Sequence, residues 1–304
     1  IQEKSIPVLL NTDQDLIGQA QTGTGKTAAF GLPILEQLDP SQFKVQALII
    51  SPTRELSLQI KTELDWLKGR KNASVSAIYG GESFEKQFRE LKRGVDIVVG
   101  TPGRLLDLTK SKKLDLSELK VLVLDEADEM LQKGFIEDIE EILSHANSER
   151  RTVLFSATMP KQILNLAKTY MTDYEHVKVE KKMSDTSLTK QYYCEVRQSD
   201  KAEVLCRLMD SEEVFYGFVF CRTKREADEL NETLVRRKYD SEALHGDLSQ
   251  AQRQRVLQKF RDKESAVLVV TDVASRGIDI SGLTHVVNFS LPQQVESYVH
   301  RIGR

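Results

Sequence analysis

The sequence predicts an α/β protein of two domains, each a mostly parallel sheet with helices on both faces. Three observations predict it. Short continuous apolar runs, such as Ala-Leu-Ile-Ile at 47–50 and Val-Leu-Val-Leu at 121–124, read as strands buried on both sides. Stretches with helical spacing separate them, which is the crossover that parallel strands require. Near 180–187 the alternation lapses into Lys-Lys-Met-Ser-Asp-Thr-Ser, which is polar and aperiodic, and then it resumes. The expected domains are therefore 1–180 and 189–304, joined by a linker at 181–188. A length of 304 residues fits about two domains.

Residues 1–10 have helical spacing, with Ile1, Ile6, Leu9 and Leu10 apolar. A loop leads to an apolar strand from Asp15, and then comes Ala20-Gln21-Thr22-Gly23-Thr24-Gly25-Lys26-Thr27. Gly23 and Gly25 let the backbone curl and turn its N–H groups inward. Those donors sit at the N-terminus of a helix expected at 27–38, where the macrodipole favours an anion. Lys26 is placed to reach β/γ-phosphates, and the Thr27 hydroxyl to hold Mg²⁺. The strict pattern starts with Gly, and Ala20 stands there instead. An ordinary Gly-rich turn explains the glycines but not the Gly-Lys-Thr triplet between a strand and a helix.

Further strands are expected at 47–50, 75–79, 97–99, 121–124 and 153–155. They end at Ser51-Pro52-Thr53-Arg54, Gly80-Gly81, Thr101-Pro102-Gly103-Arg104, Asp125-Glu126-Ala127-Asp128 and Ser156-Ala157-Thr158. In the second half, strands are expected at 192–196, 218–221, 242–244, 266–270 and 285–289, with helices at 202–208 and 224–238.

Composition narrows the class. An apolar fraction of 40% with 29% charged residues is that of a globular protein with a sizeable core. A net charge of −3 gives no overall basic footprint, so any nucleic-acid surface must be local. Cys194, Cys206 and Cys221 lack metal-ligand spacing and lie in apolar patterns, so buried, reduced thiols in an intracellular protein are expected. No apolar run approaches membrane-spanning length and no secretory signal is visible. No membrane partner is expected. The chain begins at Ile1 rather than Met, which leads us to expect a fragment.

Ligands of parallel α/β sheets sit at the carboxyl ends of strands, and the polar residues cluster there. Asp125 leaves a buried strand tip, where a phosphate-loop enzyme places the acid that helps hold Mg²⁺. Glu126 beside it suits activation of water. Acidic residues also favour helix starts for their dipole alone, and the upstream phosphate loop tips the balance to function. Ser51-Pro52 and Thr101-Pro102 each read as hydroxyl N-cap and Pro at N1. Arg54 and Arg104 follow in the first turns, where a cation opposes the dipole. A bound anion would resolve that conflict, so two phosphate cradles are expected on one rim of the first domain, with Gly80-Gly81 between them in sequence as a place of close backbone approach; the alternative is that the prolines only punctuate the helices and the arginines pair with acids such as Glu55 or Asp107. Arg222-Thr223, His245-Gly246-Asp247, Gln250, Arg253 and Thr271-Asp272 repeat the arrangement in the second half. A lone His is more often structural, and only its strand-end position raises His245. Aromatics are sparse at these tips, so recognition of phosphates and sugars with little sequence preference is expected.

The ordered set resembles the DEAD-box RNA helicases over essentially the whole chain. It comprises Gln2, Ala20–Thr27, Pro52-Thr-Arg-Glu-Leu56, Gly80-Gly81, Thr101-Pro-Gly-Arg104, Asp125-Glu-Ala-Asp128, Ser156-Ala-Thr158, Phe218-Val-Phe-Cys221, His245-Gly-Asp247, Thr271–Asp279 and His300-Arg-Ile-Gly-Arg304. The resemblance implies two RecA-like domains that close on ATP and single-stranded RNA, hydrolysing the ATP to unwind short duplexes or remodel RNA–protein complexes. It implies that Gln2 reads adenine, that Gln21 to Thr27, Gly277 and Asp279 contact the nucleotide, and that Thr27 and Asp125 hold Mg²⁺. Lys26, Asp125, Glu126 and the arginine finger Arg304 would carry catalysis. Pro52, Thr53, Arg54, Gly81, Thr101, Gly103, Arg104, Arg222, Thr223, His245, Gly246, Gln250, Arg253, Thr271 and Asp272 would contact RNA. Asp128, Ser156, Thr158, His300 and Arg301 would couple the two ligands. A cytoplasmic or nuclear monomer is expected. The family's last motif runs on past Arg304, so the chain is expected to be trimmed. An ATP-gated RNA clamp carries the same motifs. A DNA translocase is disfavoured by Gln2 and Asp128.

Overall fold

The computed structural model describes residues 1–20, 23–39, 42, 44–179, 189–275, 278, 280–293 and 295–303. The chain forms two compact units, Ile1–Glu180 and Lys181–Arg304. The expected linker at 181–188 lies outside the described residues.

The first unit runs α1 (Gln2–Asn11), β1 (Asp15–Gln19), α2 (Lys26–Gln37), β2 (Ala47–Ile50), α3 (Arg54–Leu67), β3 (Val75–Ile78), α4 (Phe84–Lys92), β4 (Ile97–Gly100) and α5 (Pro102–Lys110). It continues with β5 (Val121–Leu124), α6 (Ala127–Gln132), α7 (Ile136–His145), β6 (Arg151–Ser156), α8 (Lys161–Tyr170) and β7 (Tyr174–Lys178). The strands form one seven-stranded sheet, ordered β3-β4-β2-β5-β6-β1-β7, and every pairing is parallel. Successive side chains of a strand face opposite ways, so each strand feeds two cores. Ile17, Leu48, Ile50, Leu122 and Leu124 meet α5, α7 and α8 on one face. Leu16, Ala47, Ile49, Val123 and Phe155 meet α1, α2 and α3 on the other. Truncating any one of the fully buried leucines to alanine costs about 2–5 kcal/mol. Gly18 is required by packing, because a Cβ there would lie 2.2 Å from the Phe155 ring.

Register decides where chemistry can gather. Ile50 lies opposite both Gly100 and Leu124, Leu124 lies opposite Leu154, and Gln19 lies opposite Ser156. Ala20, Ser51, Thr101, Asp125 and Ser156 therefore emerge along one edge. β7 was not expected. Only Val177 of its five residues is buried, so this edge strand carries no apolar run for sequence reading to detect.

The second unit runs α9 (Lys201–Ser211), β8 (Gly217–Cys221), α10 (Lys224–Arg236), β9 (Ser241–Leu244), α11 (Gln250–Arg261), β10 (Val267–Thr271), α12 (Asp272–Ser275), β11 (His285–Asn288) and α13 (Val295–Ile302). Its parallel sheet is ordered β11-β8-β10-β9. The strand expected at 192–196 is not formed, and Tyr192 and Tyr193 are 85% and 87% exposed. Tyr, Cys and Val gave that segment strand propensity, but a strand also needs a hydrogen-bonded neighbour, and neither edge of this sheet pairs with it. Cys194 is consequently exposed, against expectation, while Cys206 and Cys221 are buried.

Candidate functional site

The glycine loop after β1 is shaped by backbone that only glycine adopts cheaply. Gly23 and Gly25 have φ of 75° and 78°, and Gly25 is the left-handed N-cap of α2. Gln2, in the first turn of α1, donates from Nε2 to the Gly25 carbonyl at 3.1 Å. A Cβ on Gly25 would meet that nitrogen at 2.2 Å. The expected adenine reader thus also gauges the loop's shape. Lys26 follows at 7% exposure, with Nζ 3.6 Å from Asp125 Oδ1 and no hydrogen-bond partner among the described residues. A buried ammonium short of acceptors is costly, and at a helix N-terminus the fitting acceptors are anionic oxygens. Gln21 and Thr22 lie outside the described residues.

Asp125 sits at the tip of β5, buried, accepting the Glu126 amide at 3.0 Å. Burial pushes its carboxyl above the ordinary value, against the pull of Lys26 and of that amide. Glu126 has φ 53° and ψ 51°, left-handed for a side chain that avoids it. Such strain costs about 1–3 kcal/mol and persists only where the surroundings enforce it. Here it turns the chain sharply from β5 into α6. Asp128, also buried, then faces the end of β6. Its Oδ2 accepts the Thr158 amide at 2.9 Å and the Thr158 hydroxyl at 2.8 Å. Its own amide donates to Ser156 Oγ at 3.2 Å, and that hydroxyl donates to the Thr158 carbonyl at 2.6 Å. The linkage of Asp128 to Ser156 and Thr158 is therefore closed on itself. The His300 side chain lies outside the described residues.

Farther along the same edge, the expected N-cap moves by two residues. Ser51 is buried and shares a 2.8 Å hydrogen bond with Ser57, while Thr53 caps α3 by accepting the Leu56 amide at 3.2 Å. Arg54 is thereby the first residue of α3, and Pro52 lies outside the helix, its carbonyl taking Lys133 Nζ at 3.2 Å. The Arg54 guanidinium lies 5.7 Å over the Tyr79 ring. A Cβ on Gly81, whose φ is 79°, would stand 1.8 Å from Arg54 Nη2. Gly81 thus makes room for the arginine. Thr101 is the N-cap of α5 with Pro102 at N1, as expected, and Gly103 follows in its first turn. Arg104 donates to the Glu82 carbonyl at 3.2 Å and to Gln87 Oε1 at 2.9 Å, and not to Asp107. Neutral acceptors hold it, so its charge stays available. Gln87, buried, also donates to the Tyr79 carbonyl at 2.9 Å. Sequence reading missed Tyr79 and Gln87. The available signal was a polar residue on the buried stripe of α4.

In the second unit, Thr223 caps α10, and Arg222 donates from Nη2 to the Leu291 carbonyl at 3.4 Å. His245 is buried, with Nε2 2.7 Å from Asp228 Oδ1 and Nδ1 without a hydrogen-bond partner among the described residues. Gly246 has open space around it. Gln250 opens α11 behind a Ser249–Gln252 capping box, and Arg253 donates to the Ala274 carbonyl at 2.9 Å. Thr271 ends β10, and Asp272 forms a two-point pair with Arg301 at 2.6 and 2.7 Å. Arg301, 2% exposed, also donates to Asn288 Oδ1 and the Ser290 carbonyl and covers the Phe220 ring at 4.8 Å. Gly277, Asp279 and Arg304 lie outside the described residues.

Comparison with known proteins bears on this arrangement. The family described as DEAD/DEAH box helicase matches residues 1–166, and the helicase conserved C-terminal domain matches residues 200–304. The DEAD-box ATP-dependent RNA helicase CshA of Bacillus subtilis is 52% identical over all 304 residues, which cover 61% of that relative. The Streptococcus pneumoniae TIGR4 protein of the same name is 53% identical, with 58% of its length covered. The chain thus spans about three fifths of the length of these curated relatives. Among solved structures, Saccharomyces cerevisiae Dbp5 bound to RNA and ADP BeF3 is 32% identical with a TM-score of 0.88, covering 100% of this chain and 79% of that one. A DEAD box protein from Methanococcus jannaschii is 47% identical with a TM-score of 0.59, covering 99% and 81%. With its two parallel-sheet units of RecA-like fold, the chain belongs to the DEAD-box helicase family.

Proposed function

We propose that this chain is the core of an ATP-dependent RNA helicase, which hydrolyses ATP while gripping single-stranded RNA by its backbone. The observation that carries the reading is Lys26, a buried ammonium without a hydrogen-bond partner among the described residues, set at a helix N-terminus 3.6 Å from Asp125. The triphosphate of ATP supplies the oxygens it lacks, with Gln2, Gln21 to Thr27, Gly277 and Asp279 as further nucleotide contacts. Thr27 and Asp125 offer a hydroxyl and a carboxylate, donors that suit Mg²⁺ when phosphates and waters complete its shell. Held there, the ion would supply charge neutralisation for the triphosphate. Glu126 takes a proton from the water that attacks the γ-phosphorus as the bond to the bridging oxygen breaks. Arg304 stabilises the charge of that transition state.

RNA phosphates and sugars lie along Pro52, Thr53, Arg54, Gly81, Thr101, Gly103 and Arg104. Arg222, Thr223, His245, Gly246, Gln250, Arg253, Thr271 and Asp272 are the counterparts in the second unit. Asp128, Ser156 and Thr158, with His300 and Arg301, link the nucleotide's state to this rim. The domains of this reading are 1–180 and 189–304, acting as a cytoplasmic monomer. No described helix is long and apolar enough to cross a membrane. ATP turnover with and without single-stranded RNA tests the reading. RNA should accelerate it, Lys26→Ala should abolish nucleotide binding, and Glu126→Gln should bind ATP and RNA without turnover. Normal turnover by Lys26→Ala refutes the assignment.

A further inference from the structure

A row of cations runs from the rim across α4. Phe84 and Phe88 stand four residues apart on that helix, so they share a face. Arg104 lies 5.7 Å over the Phe84 ring. Lys113 lies 4.2 Å from the Phe84 centroid and 4.8 Å from that of Phe88, and Lys92 lies 4.6 Å over Phe88. The order is Arg104, Lys113, Lys92, with two rings holding three cations. None of the three pairs with a carboxylate among the described residues. Of the acids flanking this face, Glu82 takes Lys86 and Glu90 takes the Ser76 hydroxyl, which leaves Glu85 as the one acid of α4 beside the three cations. Unneutralised cations in a row are unusual on a chain whose net charge is −3. The ring faces offset part of their repulsion and fix long side chains that would otherwise be mobile. A polyanion meets this row at reduced entropic cost.

We propose that single-stranded RNA engaged at Arg104 continues over α4, with successive phosphates on Lys113 and Lys92. The inference rests on the RNA reading above and adds a surface beyond the strand-end rim. Its occupant is a single strand because the row starts at Arg104, which the rim shares. Lysines already cover the rings, so bases do not stack there and contact is to the backbone alone, without sequence preference.

The test compares Lys92→Ala/Lys113→Ala with wild type, using oligouridines of about 6 nucleotides, which fill only the rim, and about 15, which reach α4. Wild type binds the longer RNA more tightly, and the variant binds both alike. The longer RNA loses roughly three- to tenfold in affinity, as two exposed ion pairs imply. Its log–log salt slope flattens by about 1.4, two phosphates at roughly 0.7 each. Phe88→Leu, which keeps apolar contact but removes the ring, shows part of the same loss, and thermal unfolding checks that each variant folds. Equal losses for short and long RNA, or none for either, overturn the proposal. Failure of wild type to bind RNA of any length overturns the underlying RNA reading instead.

Discussion

Replacing Thr158 with valine removes one hydroxyl and leaves side-chain volume almost unchanged. In the native chain that hydroxyl donates to Asp128 Oδ2 at 2.8 Å, and the Thr158 amide donates to the same oxygen at 2.9 Å. Asp128 is only 3% exposed, so water cannot replace the lost donor. A hydrogen bond to a charged acceptor contributes about 1.5–3 kcal/mol. One donor remains on that oxygen, so the expected loss is near the lower end, about 2 kcal/mol. With a urea slope of about 2 kcal/mol per molar, the midpoint falls by about 1 M. Far-UV circular dichroism follows the transition. A cycle with Asp128→Ala isolates the pair, and its coupling should exceed roughly 1 kcal/mol. ATP turnover without RNA should persist while its stimulation by RNA falls. An unchanged midpoint together with unchanged stimulation would refute the view that Asp128 and Thr158 tie the nucleotide to the RNA rim.

Gly81→Ala places a Cβ 1.8 Å from Arg54 Nη2 at a left-handed φ. RNA affinity should drop roughly tenfold, the equivalent of one displaced charge-assisted contact, while ATP binding without RNA is retained; isothermal titration of each ligand checks this. For Asp125, burial raises the folded pKa above the ordinary value of 3.8, so its contribution to stability is fully present below about that pH and is lost as pH rises through the folded value. At neutral pH the carboxylate is therefore a net cost to the ligand-free fold. Asp125→Asn should raise the melting temperature at pH 7, lose that advantage near pH 4, and abolish ATP turnover. Arg301→Met leaves the Asp272 carboxylate without its two-point partner and should destabilise the second unit by about 3–5 kcal/mol in denaturant unfolding.

Much of the fold was legible because buried parallel strands announce themselves. Ala47–Ile50 and Val121–Leu124 need no tertiary information, since both their faces are apolar. The same rule hid β7, which buries only Val177, and invented a strand at 192–196, where propensity had no pairing edge to act on. The site was legible where position along one strand decides it. Lys26 opens α2 just past the glycine loop that follows β1, Asp125 follows β5, and the sheet register brings the two strand ends to one edge. It was illegible where partners lie far apart in sequence. Nothing near Arg54 says that Gly81 accommodates its guanidinium, and nothing near Arg104 names Gln87 as its acceptor. Ser51 was the expected cap, and the role falls to Thr53 instead because Ser51 is drawn into a buried bond with Ser57. His245 carried a strand-end position, yet Asp228 on α10 claims its ring.

Coupling between the two ligands is the heart of the account, and thermodynamic linkage makes it directly measurable. The affinity of the chain for single-stranded RNA should be measured with a non-hydrolysable ATP analogue and with ADP, and the affinity for the analogue with and without RNA. The account predicts that the analogue tightens RNA binding at least about tenfold and that RNA tightens analogue binding by the same factor. RNA affinity that is indifferent to the bound nucleotide would contradict it.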